Sequence, residues 1–325
     1  MDIQQSELRY SSMGFFGIYK ESYKITVSWK KIFSHITLAL ILPLSILYLS
    51  EIQISNFIQN KSFRHKKTSR RIVVGIVEAI YVFFILIFSL LSTSVVSYTI
   101  ATFIYTTKDI TLKKVVSVVS TKVWMRLLVT FLWSFFIVCI YTGVALGVVV
   151  LFAALTSGRS PDGDWVNNKV LIFVLCIAII YLIGLIYINV VCQVASVVSV
   201  MEKNCYGRKA LKKSMKLIKG KIWVSSVILT MLQICFSGIV VAFSVLVVNG
   251  KVSSMVGKVC VGILCYLLLT ILIHFTLVIQ TLVYFVCKSY HHEDIDMSDF
   301  VEQARPPEVS LSNDKEIHQL EQVPV

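Results

Sequence analysis

Long runs of apolar residues alternate with short polar and basic stretches along this chain. Six runs stand out, at about 33–50, 72–106, 123–156, 168–201, 222–249 and 256–287. A helix needs roughly 20 residues to cross the hydrocarbon core of a bilayer, and five of the six runs exceed that. The first is shorter and has Pro43 inside it. Helices are the expected form, because an open sheet cannot satisfy its backbone in lipid. The pattern therefore predicts an all-α integral membrane protein of about six transmembrane helices. The predicted organisation is an N-terminal cytosolic segment with an amphipathic helix (1–32), a six-span membrane domain (33–288) and a disordered cytosolic tail (289–325).

The segments before the odd spans resemble one another. "LKKVVSVVSTKVW" (112–124) and "LKKSMKLIKGKIW" (211–223) open on Leu-Lys-Lys and close on Lys, a β-branched residue and Trp. "ESYKITVSWKKIF" (21–33) is a weaker third copy. Each copy precedes two spans, so the chain reads as three parallel repeats of 33–106, 107–201 and 202–288. Leu211, Met215, Ile218 and Ile222 fall on one helical stripe, with lysines off it. That pattern predicts a basic amphipathic helix flat on the membrane surface, its apolar side in the acyl boundary. Lys113, Lys114, Lys122, Lys212, Lys213, Lys216, Lys219 and Lys221 are the expected contacts to lipid headgroups, and Phe33, Trp124 and Trp223 the expected interface anchors. Gly220 is expected to permit the bend into span five.

Composition agrees with the membrane class. Of the residues, 56% are hydrophobic and 15% charged, with a mean hydropathy of +0.79. The net charge of +13 sits beside apolar spans, which points to anionic membrane lipid and a possible cytosolic protein partner, not nucleic acid. The polar start, "MDIQQSELRYSSMGFFGIYK", lacks the form of a cleaved signal peptide. Placing both termini in the cytosol puts 21 of the 31 Lys and Arg residues inside. Six of the outer ten lie in "NKSFRHKKTSRR" (60–71), where Asn60 heads a glycosylation sequon. The expected location is the endomembrane system, endoplasmic reticulum or Golgi, with the plasma membrane as the alternative. The eight cysteines lie outside the assigned outer loops and are expected to be packing residues.

Polar residues within spans are candidate functional groups. Glu78, Asn189, Gln193, His274 and Gln280 are the ones the pattern isolates. Interhelical hydrogen bonding is the preferred reading for Asn189, Gln193 and Gln280, and a polar cavity for a headgroup or solute is the alternative. Glu78 is expected to pair with Arg70 or Arg71, and His274 to be a hydrogen-bonded core residue. Gly143-x-x-x-Gly147 is a candidate helix contact. "HHEDID" (291–296) has metal-ligand residue types but reads as a solvated segment. No phosphate-binding loop, nucleophile elbow or zinc-protease motif is present, so no catalytic residues, metal or cofactor are assigned.

"YFVCKSYHHEDID" (284–296) and "KKIFSHITLALILPL" (30–44) resemble segments of a plant family of uncharacterised multi-pass transmembrane proteins. "ALKKSMKLIKGKIW" (210–223) is similar to the membrane domain attached to some bacterial glycerophosphodiester phosphodiesterases. The resemblance implies a plant membrane protein of about six helices. It brings no catalytic residues, and the phosphodiesterase catalytic domain has no counterpart in this chain. The sequence leaves two readings of function: a non-enzymatic, lipid-organising or scaffold protein, and a transporter or channel for a small solute or lipid. The discriminating observation is whether the intramembrane polar groups converge on one cavity.

Overall fold

The structure, a computed structural model, describes residues 13–62, 68–105, 121–157, 163–202, 204–250 and 254–291. These form helices with no strand among the described residues. In chain order they are α1 (Phe15–Ser28), α2 (Lys30–Ile36), a π-helical turn (Thr37–Ile41), α3 (Leu42–Ser62), α4 (Thr68–Tyr105), α5 (Thr121–Ser157), α6 (Gly163–Met201), α7 (Arg208–Ile218), α8 (Ile222–Phe243) running into a second π turn (Ser244–Val248), and α9 (Met255–Tyr290).

Six helical stretches are long and apolar enough to cross a membrane: Lys30–Asn56, Gly75–Ile104, Val123–Leu155, Leu171–Met201, Ile222–Val248 and Met255–Tyr290. They pair as hairpins α3/α4, α5/α6 and α8/α9. The first is long and apolar enough despite Pro43. Proline has no N–H and its ring crowds the carbonyl four residues back. The chain accommodates this by widening the preceding turn, where the Leu42 N–H reaches back five residues to the Thr37 carbonyl. The helix then continues to Ser62, which is why the span is longer than the 33–50 read from hydropathy.

Burial is uneven along the bundle. It concentrates where the C-terminal halves of α4, α6 and α9 meet α1, α7 and the first turns of α5 and α8. From Val278 to Lys288 every residue of α9 is buried. Ser97 and Thr281 join α4 to α9 at 3.0 Å, and Ser225 meets the Cys287 thiol at 3.7 Å. We call this the packed end. Away from it, the most apolar 18-residue windows of α5 and α6 contain no buried residue. There the two helices have little but each other: the Tyr141 and Tyr181 rings stack at 5.4 Å, and the Tyr141 hydroxyl donates to the Ile180 and Tyr181 carbonyls at 3.3 Å each. Such a surface is stable only in lipid. Gly184 makes the pairing possible, because a Cβ there would overlap the Tyr141 phenol. Gly143 and Gly147 face open space, so they make no close helix contact.

The helices α4, α5, α6 and α9 have 36 to 39 residues, roughly 54–58 Å of helix against a hydrocarbon core of about 30 Å. A tilt within the usual range of about 0–40° still leaves turns outside the core.

The basic helix departs from the expected arrangement. α7 is amphipathic, but Ala210, Leu211, Ser214, Leu217 and Ile218 are buried by protein, chiefly α6. The Ser214 hydroxyl is shared between the Leu211 and Val191 carbonyls at 2.9 and 3.0 Å. The apolar face is thus already covered and does not enter an acyl layer, while Met215, expected on the stripe, is exposed. Gly220 lies in the turn between α7 and α8, as expected, where the lack of a Cβ makes room for the Tyr290 ring. A second glycine, Gly207, with φ +58°, starts α7. Residues 112–120 of the second copy (112–124) lie outside the described residues.

Candidate functional site

A cavity of about 1050 Å³ opens among all three hairpins, next to the packed end. Its polar residues come from several helices: Thr93 on α4, Ser134 on α5, Asn189 and Gln193 on α6, Gln233 on α8, Gln280 on α9. Its walls are apolar, among them Leu44, Phe131, Phe135, Leu185, Ile234 and Val241. Among the described residues, no lining residue is Asp, Glu, Lys, Arg or His.

Asn189, Gln193 and Gln280, isolated by sequence, therefore meet at one place. Asn189 and Gln193 are one turn apart on α6, and the Gln193 side-chain N–H reaches the Asn189 Oδ1 at 3.4 Å. From α9, the Gln280 Nε2 donates to the Gln193 carbonyl at 2.8 Å and to the Ser196 Oγ at 2.7 Å. Those two bonds fix α9 against α6 and occupy both Gln280 donors. The Gln193 Oε1 is shielded from solvent and has no partner among the described residues.

The hydroxyls follow one rule. Thr93 donates to the Ser89 carbonyl, Ser134 to that of Thr130, and Thr276 to that of Leu272, at 2.8–2.9 Å. A hydroxyl has one hydrogen and two lone pairs, so each keeps acceptor capacity. Thr130 uses that capacity within the protein, accepting the Gly207 N–H at 2.8 Å. The signal for Gln233 was available, since it is an amide in the middle of span five. The hydroxyls gave none, because a serine or threonine bonded to its own helix is compatible with any apolar span.

Two of the isolated residues lie elsewhere. Glu78 accepts the Ser55 hydroxyl at 3.4 Å, joining α3 to α4; the side chains of Arg70 and Arg71 are outside the described residues. His274 is buried against the Phe33 ring at 5.4 Å and pairs with the Thr37 hydroxyl through Nδ1 at 3.1 Å and the Thr26 hydroxyl through Nε2 at 3.5 Å. It ties α1 and the π turn to α9. Among the described residues, no group of three His, Cys, Asp or Glu could hold a metal.

At the packed end, the junction residues have three different environments. Trp223 is 82% exposed. Trp124, at the same end, packs between α4 and α6 against Leu90, Val123, Leu127 and Val200. Phe33 is 1% exposed and contacts His274, about 20 Å along α9 from Cys287. It is a core residue and not an anchor, which also removes the first junction from equivalence with the other two.

The lysines divide similarly. Lys212, Lys216 and Lys219 are exposed, joined by Lys209. Lys213 pairs with Glu202 at 2.9 Å, and Lys221 lies over the Tyr290 ring at 5.5 Å. Lys113 and Lys114, and the side chains of Lys122 and Asn60, are outside the described residues. Lys288, which no pattern in the sequence singles out, is 4% exposed and meets the same Glu202 at 3.4 Å, with the Tyr284 hydroxyl donating to that carboxylate at 3.2 Å. Burial and the neighbouring Glu202 raise the Cys205 thiol pKa, so it stays protonated at neutral pH.

Six apolar helices in three hairpins define a multi-pass helical membrane protein. Residues 1–322 match the family described as Domain of unknown function (DUF8558), and the chain belongs to it. No curated protein and no solved structure matches the chain.

Proposed function

We propose that this protein is a non-enzymatic carrier or binder that takes an amphiphilic molecule from the membrane into the cavity between its hairpins. The observation that carries the reading is the convergence of Asn189, Gln193 and Gln280, from two helices, on one apolar-walled cavity of about 1050 Å³. Pockets for drug-sized ligands are roughly 300–1,000 Å³, mostly apolar with a few polar groups that fix orientation. The alternative to the cavity, simple interhelical bonding, accounts for Gln280 but leaves Asn189, Gln233 and the facing hydroxyls at an open space.

The surface of α7 supports a second, electrostatic role. Lys209, Lys212, Lys216 and Lys219 project from it, and each lysine near an anionic leaflet contributes about 1 kcal/mol. With the apolar face buried in protein, that role is attraction of anionic lipid, or of an acidic cytosolic partner, without insertion. The proposal includes cytosolic termini, supported by the basic asymmetry of the chain, and an endomembrane location in the endoplasmic reticulum or Golgi, the plasma membrane being the alternative. It retains descent of the three hairpins from one repeated unit, supported by the matched segments at 112–124 and 211–223.

The test is co-purification. The full chain is isolated in native bilayer discs, and its small molecules are extracted and identified by mass spectrometry beside those of a Gly238→Trp variant. Gly238 lines the cavity, and a Cβ there meets nothing within 4 Å, so a bulky side chain can start from this position without a clash at its Cβ. A compound near stoichiometric in the native chain and depleted in the variant is expected. Identical extracts would overturn the reading.

A further inference from the structure

The cavity of the preceding section has a chemical bias and a direction of entry, and both follow from its lining. The geometry points to an uncharged lipid bearing a free hydroxyl, of the acylglycerol or sterol kind, entering sideways from the bilayer between α5 and α8. This deepens the proposed function and rests on it.

Entry comes first. α5 packs on α6, α4 and α7, and α8 packs on α9 and α6. Both line the cavity. Phe135 on α5 and Ile234 and Val241 on α8 line it and are also among the exposed apolar residues of the bundle. A side chain that faces both the cavity and the outside marks the mouth. Apolar residues at that mouth put it on the lipid-facing surface, so a molecule reaches the cavity without crossing water.

Charge comes next. A phosphate or carboxylate moved into a low-dielectric space needs a cation or several N–H donors. Among the described residues the lining holds no cation. Of the charges of the packed end, Glu202, Lys213 and Lys288 engage one another, and Arg126 on α5, whose buried Nη1 has no partner among the described residues, does not line the cavity. Both Gln280 donors are bonded within the protein, so the N–H groups facing the cavity are those of the neutral amides Asn189, Gln193 and Gln233, which carry no charge to balance an anion.

Polarity then selects among uncharged heads. The hydroxyls of Thr93, Ser134 and Thr276 each point their hydrogen at a carbonyl of their own helix, which leaves lone pairs for a ligand. Asn189 and Gln233 add amides, which both donate and accept. A lining rich in acceptors matches a head that donates. A lipid hydroxyl does so without bringing charge, whereas the ionised phosphate of phosphatidic acid brings negative charge and mostly accepts. The apolar walls take the hydrocarbon portion, and the mouth lets a longer chain extend back into the bilayer.

The experiment uses two photoreactive probes with identical acyl chains, a diacylglycerol and the corresponding phosphatidic acid, on the full chain in bilayer discs. Labelled peptides are mapped for the native protein, for Gly238→Trp and for Gly147→Trp, a control that also faces open space but does not line the cavity. The diacylglycerol should label α5, α6 or α8 about tenfold or more above phosphatidic acid, since an unpaired buried charge costs several kcal/mol. Gly238→Trp should reduce that labelling severalfold and Gly147→Trp should not. Equal or stronger labelling by phosphatidic acid, lost in Gly238→Trp, would overturn the uncharged class and leave the cavity reading standing. Labelling of both probes unchanged by Gly238→Trp, or absent from these helices, would overturn both.

Discussion

Gln280 is bonded from a single nitrogen to a backbone carbonyl and a hydroxyl on α6, so it reports on how the cavity is held together. Replacing it by leucine removes two hydrogen bonds; the Gln193 carbonyl keeps the Ser196 hydroxyl as a donor at 2.6 Å, while the Ser196 oxygen loses the donor it accepts from α9. A loss of about 1–3 kcal/mol in stability is expected, visible as a lower Tm in detergent. Gly184 makes a second prediction at this scale. Gly184→Val pushes the Tyr141 phenol off the Ile180 and Tyr181 carbonyls, at a cost of about 1–3 kcal/mol, while Gly143→Val, facing open space, should leave Tm nearly unchanged. Equal Tm shifts for the two variants would contradict the assigned helix pairing. Residues of this kind were partly legible in the sequence. An amide inside an apolar span announces itself, as Gln193 and Gln280 do. Whether it bonds or lines a space depends on the neighbouring helix, which local pattern does not contain.

At the scale of elements, spans were the most legible feature because hydropathy over some 20 residues outweighs any single exception. Pro43 is the useful case: hydropathy placed a short span there, and the π turn explains how a longer helix passes through it. α7 is the converse. Its apolar and basic faces were evident, but the pattern alone cannot say whether the apolar face meets lipid or protein; α6 covers it here. The start of α7 depends on Gly207, whose positive φ any other residue adopts only under strain, and whose N–H is held by Thr130. Gly207→Ala should therefore destabilise the chain by about 1–3 kcal/mol and loosen α7 from α5, read as faster hydrogen exchange across residues 208–218. Unaltered exchange in that helix would show that the turn does not set its position. Glu202 joins the same region to α9. Glu202→Leu leaves the buried Lys288 without its carboxylate and should cost about 3–5 kcal/mol, whereas Lys212→Gln, at an exposed site, should cost well under 1 kcal/mol.

For the whole molecule, uneven burial is the organising fact. The packed end buries α9 on every side, the far parts of α5 and α6 are apolar and open, and the cavity lies where the two regimes meet. None of this follows from spans counted along the chain, since each long helix looks uniformly apolar in sequence; only the packing separates the turns that face protein from those that face lipid. Orientation in the membrane is a prediction at the same scale. With 21 of 31 basic residues assigned inside, protease-sensitive tags on both termini should be cleaved in sealed, cytosol-side-out microsomes, and protection of either tag would contradict the assignment. The most direct test of the central claim, that the hairpins enclose an occupied intramembrane cavity, is cryo-electron microscopy of the full chain in lipid discs. The account predicts continuous non-protein density between α5 and α8, ending beside Asn189 and Gln193. A map in which α5 packs directly on α8 and closes that space, or in which the space is open and featureless, would contradict it.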